Sequence, residues 1–569
     1  MEIDAASCRF LQRLNYREVN RMYGNYLDDA AKIVAEKREE NLKFEHARLT
    51  AEEKDQILKE FHPDRIASEF EEIKIGPNKG QKAPHELAAM LQAKPRFDPD
   101  HVDLNHIDYE ADVLVIGGGG AGTSAAIMAS EAGAKVLLVT KLRVGDANTM
   151  MAEGGIQAAD KANDSPAQHY LDAFGGGHFD GKPELVYTLV NKAPSVIKWL
   201  NDLGVEFDKE ADGTMVTTHG GGTSRKRMHA CKDYSGAEIM RTLRDETFNR
   251  ADKITVVDFT SAVEIIKNEK GEAAGAVLVN METGEVRIAK AKVVIIATGG
   301  AGRMHYQGFP TSNHYGATAD GLVMAYRAGA KLLYQDSLQY HPTGAAYPEQ
   351  ILGKLVTEKV RSLGAKLINK DGEVYIHPLE TRDVNASGII KEVRQGRGVK
   401  NDVQDAVWLD TPMIEIIHGE GTILKRIPAM YKMFIKYGID IRTEPILVYP
   451  TLHYQNGGVE IDKTCHTNVP NLLVAGEASG GVHGTNRLMG NSLLDVVVFG
   501  REAGIEAGKM FGKIAMSDTN KLSLEHVKAF EKERDAAGIK GDEVSPKLLP
   551  TYTHGNKEFE KKPWPGAAK

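Results

Sequence analysis

The chain of 569 residues holds only three cysteines, Cys8, Cys231 and Cys465, and no C-x-x-C pair. That scarcity argues against an internal iron–sulfur cluster or a metal site, which would need closely spaced thiolates. It also suits a reducing compartment. There is no run of 18 apolar residues, so neither a transmembrane helix nor direct membrane insertion is expected. The opening MEIDAASCRF has no basic segment followed by an apolar core, so no signal peptide is expected. The net charge of −8 is small for this length. It supplies no basic surplus for a phosphate backbone, and no nucleic-acid partner is expected. No internal repeat is evident.

Glycine is abundant, with 57 residues clustering in GG and GGG runs. Such runs mark places where backbone turns sharply or approaches a ligand. Hydrophobic residues make up 42% and charged residues 26%, the profile of a soluble globular protein. The length implies two or three domains. Residues 1–108 are rich in charge. Within them Thr50 is a candidate N-cap, with Glu53 three residues on. At Asp112 the composition shifts to ADVLVIGGGGAGTSAAIMASEAGAKVLLVTK, a β–α–β pattern. AKVVIIATGGAG (289–302) and NLLVAGEASGG (471–481) are two further apolar strands ending in glycine. All three are expected to converge at the carboxyl ends of a parallel sheet. The segment from about 337 to 450 reads as a lobe inserted between the last two.

Gly117-x-Gly119-x-x-Gly122 follows a strand and opens a helix, the context a dinucleotide fingerprint requires. The first glycine permits the turn, the second admits a pyrophosphate, and the third lets helix and strand pack closely. Gly120 and Ala121 begin a helix whose N-terminus favours phosphate charge. The second strand ends in Thr140-Lys141, not in the acid that usually holds a ribose hydroxyl. That weakens a case for NAD.

With these motifs stand MMAEGGIQAA, RMHACKDYSG, YHPTG, VTEKVR, TRDV, PTLHYQNGG, AGEASGGVHGTNRL and GNSLLDVVVFGR. In this order they resemble the flavoprotein subunits of succinate dehydrogenase and fumarate reductase, and L-aspartate oxidase, from about Asp112 to Ala507. The resemblance implies an α/β fold: a Rossmann-like FAD-binding domain (109–336 and 451–515) with an inserted α+β capping domain (337–450). An N-terminal helical extension (1–108) and a short C-terminal tail (516–569) complete the chain. It implies FAD on residues 117–122, along Thr140, Lys141, Asn148, Thr149, Glu153, Gly154 and Gly155, and beside Asp233, Glu477, Arg487, Ser492 and Leu493. No metal is implied.

The resemblance also implies a dicarboxylate site made by His341, Thr357, Glu358, His453 and Arg487. An arginine fork suits a carboxylate, and the other side chains add hydrogen bonds. Arg382 falls where the family's proton donor stands, with Arg361 and Glu358 as its relay. The expected activity is that of a fumarate reductase-type catalytic subunit: hydride from reduced FAD and a proton from Arg382 turn fumarate into succinate, reversibly. L-Aspartate oxidase, or a reductase of another unsaturated C4 dicarboxylate, is the alternative. Against the oxidase, the glutamate thought to meet its substrate ammonium is His219 here.

Two further expectations follow from departures within the resemblance. The histidine that bonds covalently to flavin in succinate dehydrogenases falls on Asn148, whose amide cannot make that bond, so FAD is expected to be non-covalent. The familiar C-terminal helical domain has no counterpart, and the N-terminal helices are expected to cover part of the surface it would occupy. Electrons are expected from an iron–sulfur subunit, itself membrane-anchored at most through other subunits. The expected location is cytoplasmic, at most peripheral to the inner face of the cell membrane.

Overall fold

The computed structural model describes residues 25–550. Cys8 and the outer parts of the expected extension and tail lie outside the described residues. The main sheet grows from unbroken apolar runs. Strands β1 (Tyr109–Ile116) and β2 (Val136–Val139) bury Val113 to Ile116 and Val136 to Val139 completely or nearly so. Such runs suit strands covered on both faces. They join β3 (Ile254–Val257), β4 (Thr260–Asn268), β5 (Ala273–Asn280), β6 (Val286–Ile296), β7 (Leu472–Val474) and β8 (Leu522–Ser523).

The order is β8-β4-β5-β6-β1-β2-β3, with β7 also on β6. Strands β7, β6, β1, β2 and β3 are parallel, whereas β4 and β5 extend the sheet antiparallel. Opposite its edge with β1, strand β6 serves two neighbours: Val286–Lys290 pair with β5, and Val294–Ile296 with β7. Ile296 lies opposite both Ile116 and Val474. The three glycine-ended strands therefore finish side by side at one level.

Helix α1 (Gly120–Glu131) follows β1, and helix α2 (Asn491–Met510) packs directly on it. A Cβ on Gly500 would stand 2.5 Å from Ala121 O, one on Gly504 2.3 Å from Ala125 O, and one on Gly508 2.5 Å from Ala132 Cβ. Both sets of numbers rise together, so the helices run the same way. Among the described residues no helix is long and apolar enough to cross a membrane.

The chain divides into two compact units. One, here the cap unit, takes the chain up to His62 with Pro342–Glu380 and Val384–Pro450; the other, the flavin unit after the cofactor expected on it, holds Pro63–His341, Thr381–Asp383 and the chain from Thr451. The division differs from the expected boundaries. The extension is not one body, since it changes allegiance between His62 and Pro63. Arg382, expected in the capping domain, belongs with the flavin unit. The expected tail contains strand β8 and a helix at Glu525–Ala536.

In the cap unit a helix at Ala51–Phe61 starts on Thr50, whose capping box with Glu53 is formed. Ile57 and Leu58 bury against Val356, Val360 and Leu363. Leu27 and Val34 of the helix at Asn25–Lys43 join Ile368, Trp408 and Leu447. The Arg38 guanidinium donates to both oxygens of buried Asp410 at 3.0 and 2.9 Å.

In the flavin unit residues 63–108 are bound to the end of the chain. Lys94–Pro95 pair in parallel with Val544–Ser545. Arg96 donates to the carbonyls of Pro546 (2.6 Å) and Lys547 (3.0 Å). Buried Arg327 pairs with buried Glu264 and donates to the carbonyls of Ala93, Lys94 and Ser545. Removing one partner of a buried ion pair leaves the other uncompensated, at a cost of about 3–5 kcal/mol. Arg327→Met is expected to destabilise the protein by about that amount in urea unfolding. It should also expose the segment around Ser545 to limited proteolysis before the rest; an unchanged midpoint and cleavage pattern would disprove the clamp.

Candidate functional site

The fingerprint loop is shaped by what a side chain would strike. Gly117 has φ +115°, and a Cβ there would lie 2.3 Å from Ala297 O. At Gly122 a Cβ would come within 1.8 Å of Gly117 O. Gly119 would meet Ala147 at 3.1 Å, so the loop has room for backbone but little else. Gly120 and Ala121 form the first turn of α1, which has no side-chain cap. Its Gly120 N–H is met by the Thr149 hydroxyl at 3.1 Å.

Helix α2 also starts without a side-chain cap, after Gly490 at φ +80°. Its first residues are Asn491, Ser492 and Leu493. Gly500 sits beside Ala121, which is one residue into α1, so the start of α2 projects eight residues, about 12 Å, beyond the start of α1. Two helix N-termini at that spacing offer N–H groups to a phosphate at one end of a ligand and to an electron-rich ring at the other. The glycine cradle and the paired termini fit FAD.

Around them, Asn148 Nδ2 donates to Asn313 Oδ1 (2.7 Å) and Glu477 Oε2 (3.1 Å), and Asn148 Oδ1 accepts from His314 N (2.5 Å). Glu477 Oε1 accepts from Gln455 N at 3.1 Å. Burial raises the Glu477 carboxyl above the usual range, partly offset by these hydrogen bonds. Burial, with Asp233 close by, raises Glu153 well above it. Gly154 admits the Met489 side chain, and Gly155, at φ +122°, passes 2.4 Å from His229 O counted from a Cβ there. Thr140 lies against Gly118. The Lys141 ammonium is engaged by Asp320 (2.5 Å), Thr318 (2.7 Å) and Leu548 O (2.5 Å).

A second cluster forms where strand Leu338–Ala345 meets the segment carrying Arg487. Gln339 Oε1 accepts from Arg382 Nη1 at 3.1 Å and from Arg487 Nη2 at 2.7 Å. Its Nε2 donates to Asn486 Oδ1 (3.0 Å) and Arg487 O (2.7 Å), which fixes which way the amide faces. The rings of His341 and His453 are 5.1 Å apart. His453 Nδ1 meets the Ser312 hydroxyl at 2.7 Å. Burial, with the Arg382 and Arg487 charges, holds its pKa well below the usual histidine value, so the ring is neutral. The Arg487 guanidinium stacks 4.5 Å from the Tyr454 ring, whose hydroxyl donates to Asp495.

Of the expected substrate and catalytic residues, His341, His453, Arg382 and Arg487 share this cluster. Thr357, Glu358 and Arg361 are buried in the cap unit, where Arg361 and Glu358 pair at 3.6 Å. Gln339 and Tyr454 went unnoticed in the sequence. A signal for Gln339 existed: it stands two residues before His341 on one strand, and so on the same face.

The FAD binding domain family matches residues 112–493. A fumarate reductase (CoM/CoB) subunit of Methanothermobacter marburgensis is 39% identical over 437 residues, covering 75% of this chain and 76% of its own. L-Aspartate oxidase of Streptomyces coelicolor is 35% identical, covering 68% and 67%. A structure of E. coli quinol fumarate reductase aligns with a TM-score of 0.68 at 30% identity, covering 75% of this chain and 74% of its own.

Gly122→Val is expected to yield protein without visible flavin absorbance, because its side chain must displace the Gly117 carbonyl. Gly512→Ala, where a Cβ meets nothing within 4 Å, should keep its flavin. Flavin retained in full by Gly122→Val would refute the cradle.

Proposed function

The chain belongs to the FAD-binding family that contains the fumarate reductase and succinate dehydrogenase flavoprotein subunits, and we propose that this FAD-dependent oxidoreductase reduces fumarate to succinate. The observation that carries the reading is the pair of buried guanidinium groups sharing one neutral amide oxygen, beside two histidines. Two buried guanidinium forks so close together, with two histidines beside them, suit a ligand carrying two carboxylates.

When bound and reduced, FAD supplies a hydride to one alkene carbon. This chain then has two tasks. Arg487, His341 and His453 hold the carboxylates. The neutral His453 ring contributes hydrogen bonds without adding a third charge. Arg382 gives a proton to the second alkene carbon. A guanidinium is a weak acid in water, with a pKa above about 12, so its role depends on position: a donor fixed by Gln339.

Two finer points accompany it. Asn148 has both ends of its amide engaged by Asn313, Glu477 and His314, and an amide forms no bond to a flavin methyl, so FAD is held non-covalently. The loss of that bond favours reduction over succinate oxidation. Electrons come from an iron–sulfur partner protein in the cytoplasm. L-Aspartate oxidation is disfavoured by the surroundings of His219, where Lys226, Arg227 and Arg225 add to burial in lowering its pKa. A positive neighbourhood repels a substrate ammonium.

The FAD-loaded chain should oxidise a reduced viologen dye with fumarate, and Arg382→Gln should lower kcat by about 10²–10⁴-fold. Oxygen-dependent turnover of aspartate, or absence of fumarate turnover, would overturn the assignment. Acid precipitation should release all the flavin; colour kept in the pellet would refute non-covalent binding.

A further inference from the structure

We infer that His178 is a positioning residue for Arg382: paired with Asp383, its imidazolium holds the segment Thr381–Asp383 in the flavin unit, and deprotonation loosens that hold. This inference rests on the proposed role of Arg382.

The geometry begins with an interruption. For three residues, Thr381–Asp383, the chain belongs with the flavin unit, between Glu380 and Val384 of the cap unit. Side chains of all three residues reach the flavin unit. Thr381 lies near Gly222, which a Cβ would bring within 3.4 Å of its methyl. Arg382 is held by Gln339. Asp383, almost fully buried, accepts from or pairs with His178 Nε2 through Oδ2 at 2.7 Å.

The loop that carries His178 is built at a conformational cost. His178 and Phe179 are consecutive non-glycine residues with φ of 59° and 64°. Left-handed backbone of this kind persists where surrounding structure enforces it, commonly at functional sites. Burial of Phe179 does not explain it, since that side chain is 69% exposed. The enforcement comes from the segment bearing Arg487. Asn486 Nδ2 donates to Gly176 O (2.9 Å), Thr485 Oγ1 to Asp180 Oδ2 (2.8 Å), and Lys182 N to Gly481 O (2.8 Å). One loop is thus fastened to the Arg487 segment on one side and to the residue after Arg382 on the other. It sets the separation of the two guanidinium groups from outside their own cluster.

The charges facing His178 come from three elements. Asp383 at the start of its helix, and Asp180 in the same loop, favour the imidazolium; Arg65 and partial burial oppose it. Asp64, next to Arg65, also acts on Asp383. The hydrogen bond to Asp383 is the largest contribution, and the His178 pKa is raised. A raised histidine contributes its hold fully below about pH 6.5, the ordinary value, and loses it as pH climbs through the raised one. The effect on catalysis is therefore a loss on the alkaline side.

The test uses the FAD-loaded full chain with reduced viologen and fumarate. His178→Ala should lower kcat about tenfold or more while changing the fumarate KM less than about threefold, with flavin content unchanged. His178→Asn, which keeps a neutral donor, should recover part of kcat and flatten the alkaline limb of the pH profile. In a second measurement, diethyl pyrocarbonate modification of His178 is followed by peptide mass mapping across pH. Its midpoint should lie above about 6.5 and fall in Asp383→Asn. Wild-type kcat and pH profile in His178→Ala would overturn the inference, and so would a midpoint at or below 6.5 that Asp383→Asn does not move. If the wild type turns over no fumarate, the functional reading fails, and the modification midpoints alone decide whether Asp383 holds His178.

Discussion

Helices α1 and α2 lie side by side because Gly500, Gly504 and Gly508 present no side chains to Ala121, Ala125 and Ala132. Helices in globular proteins ordinarily pack 8–10 Å apart, depending on what stands at the contact, and a row of glycine against alanine brings backbones to the near limit. Everything on the flavin side follows from that contact. It fixes the offset between two uncapped helix starts, and hence the length of ligand that can reach both. It also places Asp495 of α2 where Tyr454 and His483 reach it, and the Tyr454 ring carries the Arg487 guanidinium. The glycine cradle and the Gln339 cluster are thereby referred to one helix pair.

The second cluster is organised by charge rather than shape. Arg382 and Arg487 repel one another, yet both converge on Gln339, whose amide is turned by Asn486 and the Arg487 carbonyl so that oxygen faces them. Glutamate at this position would compete with an anionic ligand for them. Glutamine holds both guanidinium groups through one neutral oxygen. The neutral state of His453 belongs to the same balance, since the two arginines drive its proton away.

What was legible in the sequence was whatever depends on near neighbours in the chain. The fingerprint glycines answer local demands, a positive φ at Gly117 and a close approach at Gly122, and local demands leave local patterns. The three glycine-ended strands were readable because buried parallel strands must be apolar throughout. The Thr50–Glu53 capping box spans three residues and was visible for that reason. The division of the extension at His62 was not, because charged helices look alike whichever core they dock on. Nor was the position of Arg382 in the flavin unit: a three-residue return has no composition of its own. His178 and Asp383 stand 205 residues apart, and nothing in either motif points to the other.

Pairing of Lys94–Pro95 with Val544–Ser545, locked by Arg96 and Arg327, spans 450 residues of chain. Ribosomes add about 5–20 residues per second, so the first of these strands waits on the order of 20–90 s for its partner. During that interval Glu264 and Arg327 lie against an unfinished wall, and the Lys141 ammonium lacks the Leu548 carbonyl. The flavin unit is therefore closed late: until Val544–Ser545 are made, Lys94–Pro95 lack their partner strand and Lys141 lacks one of its three acceptors.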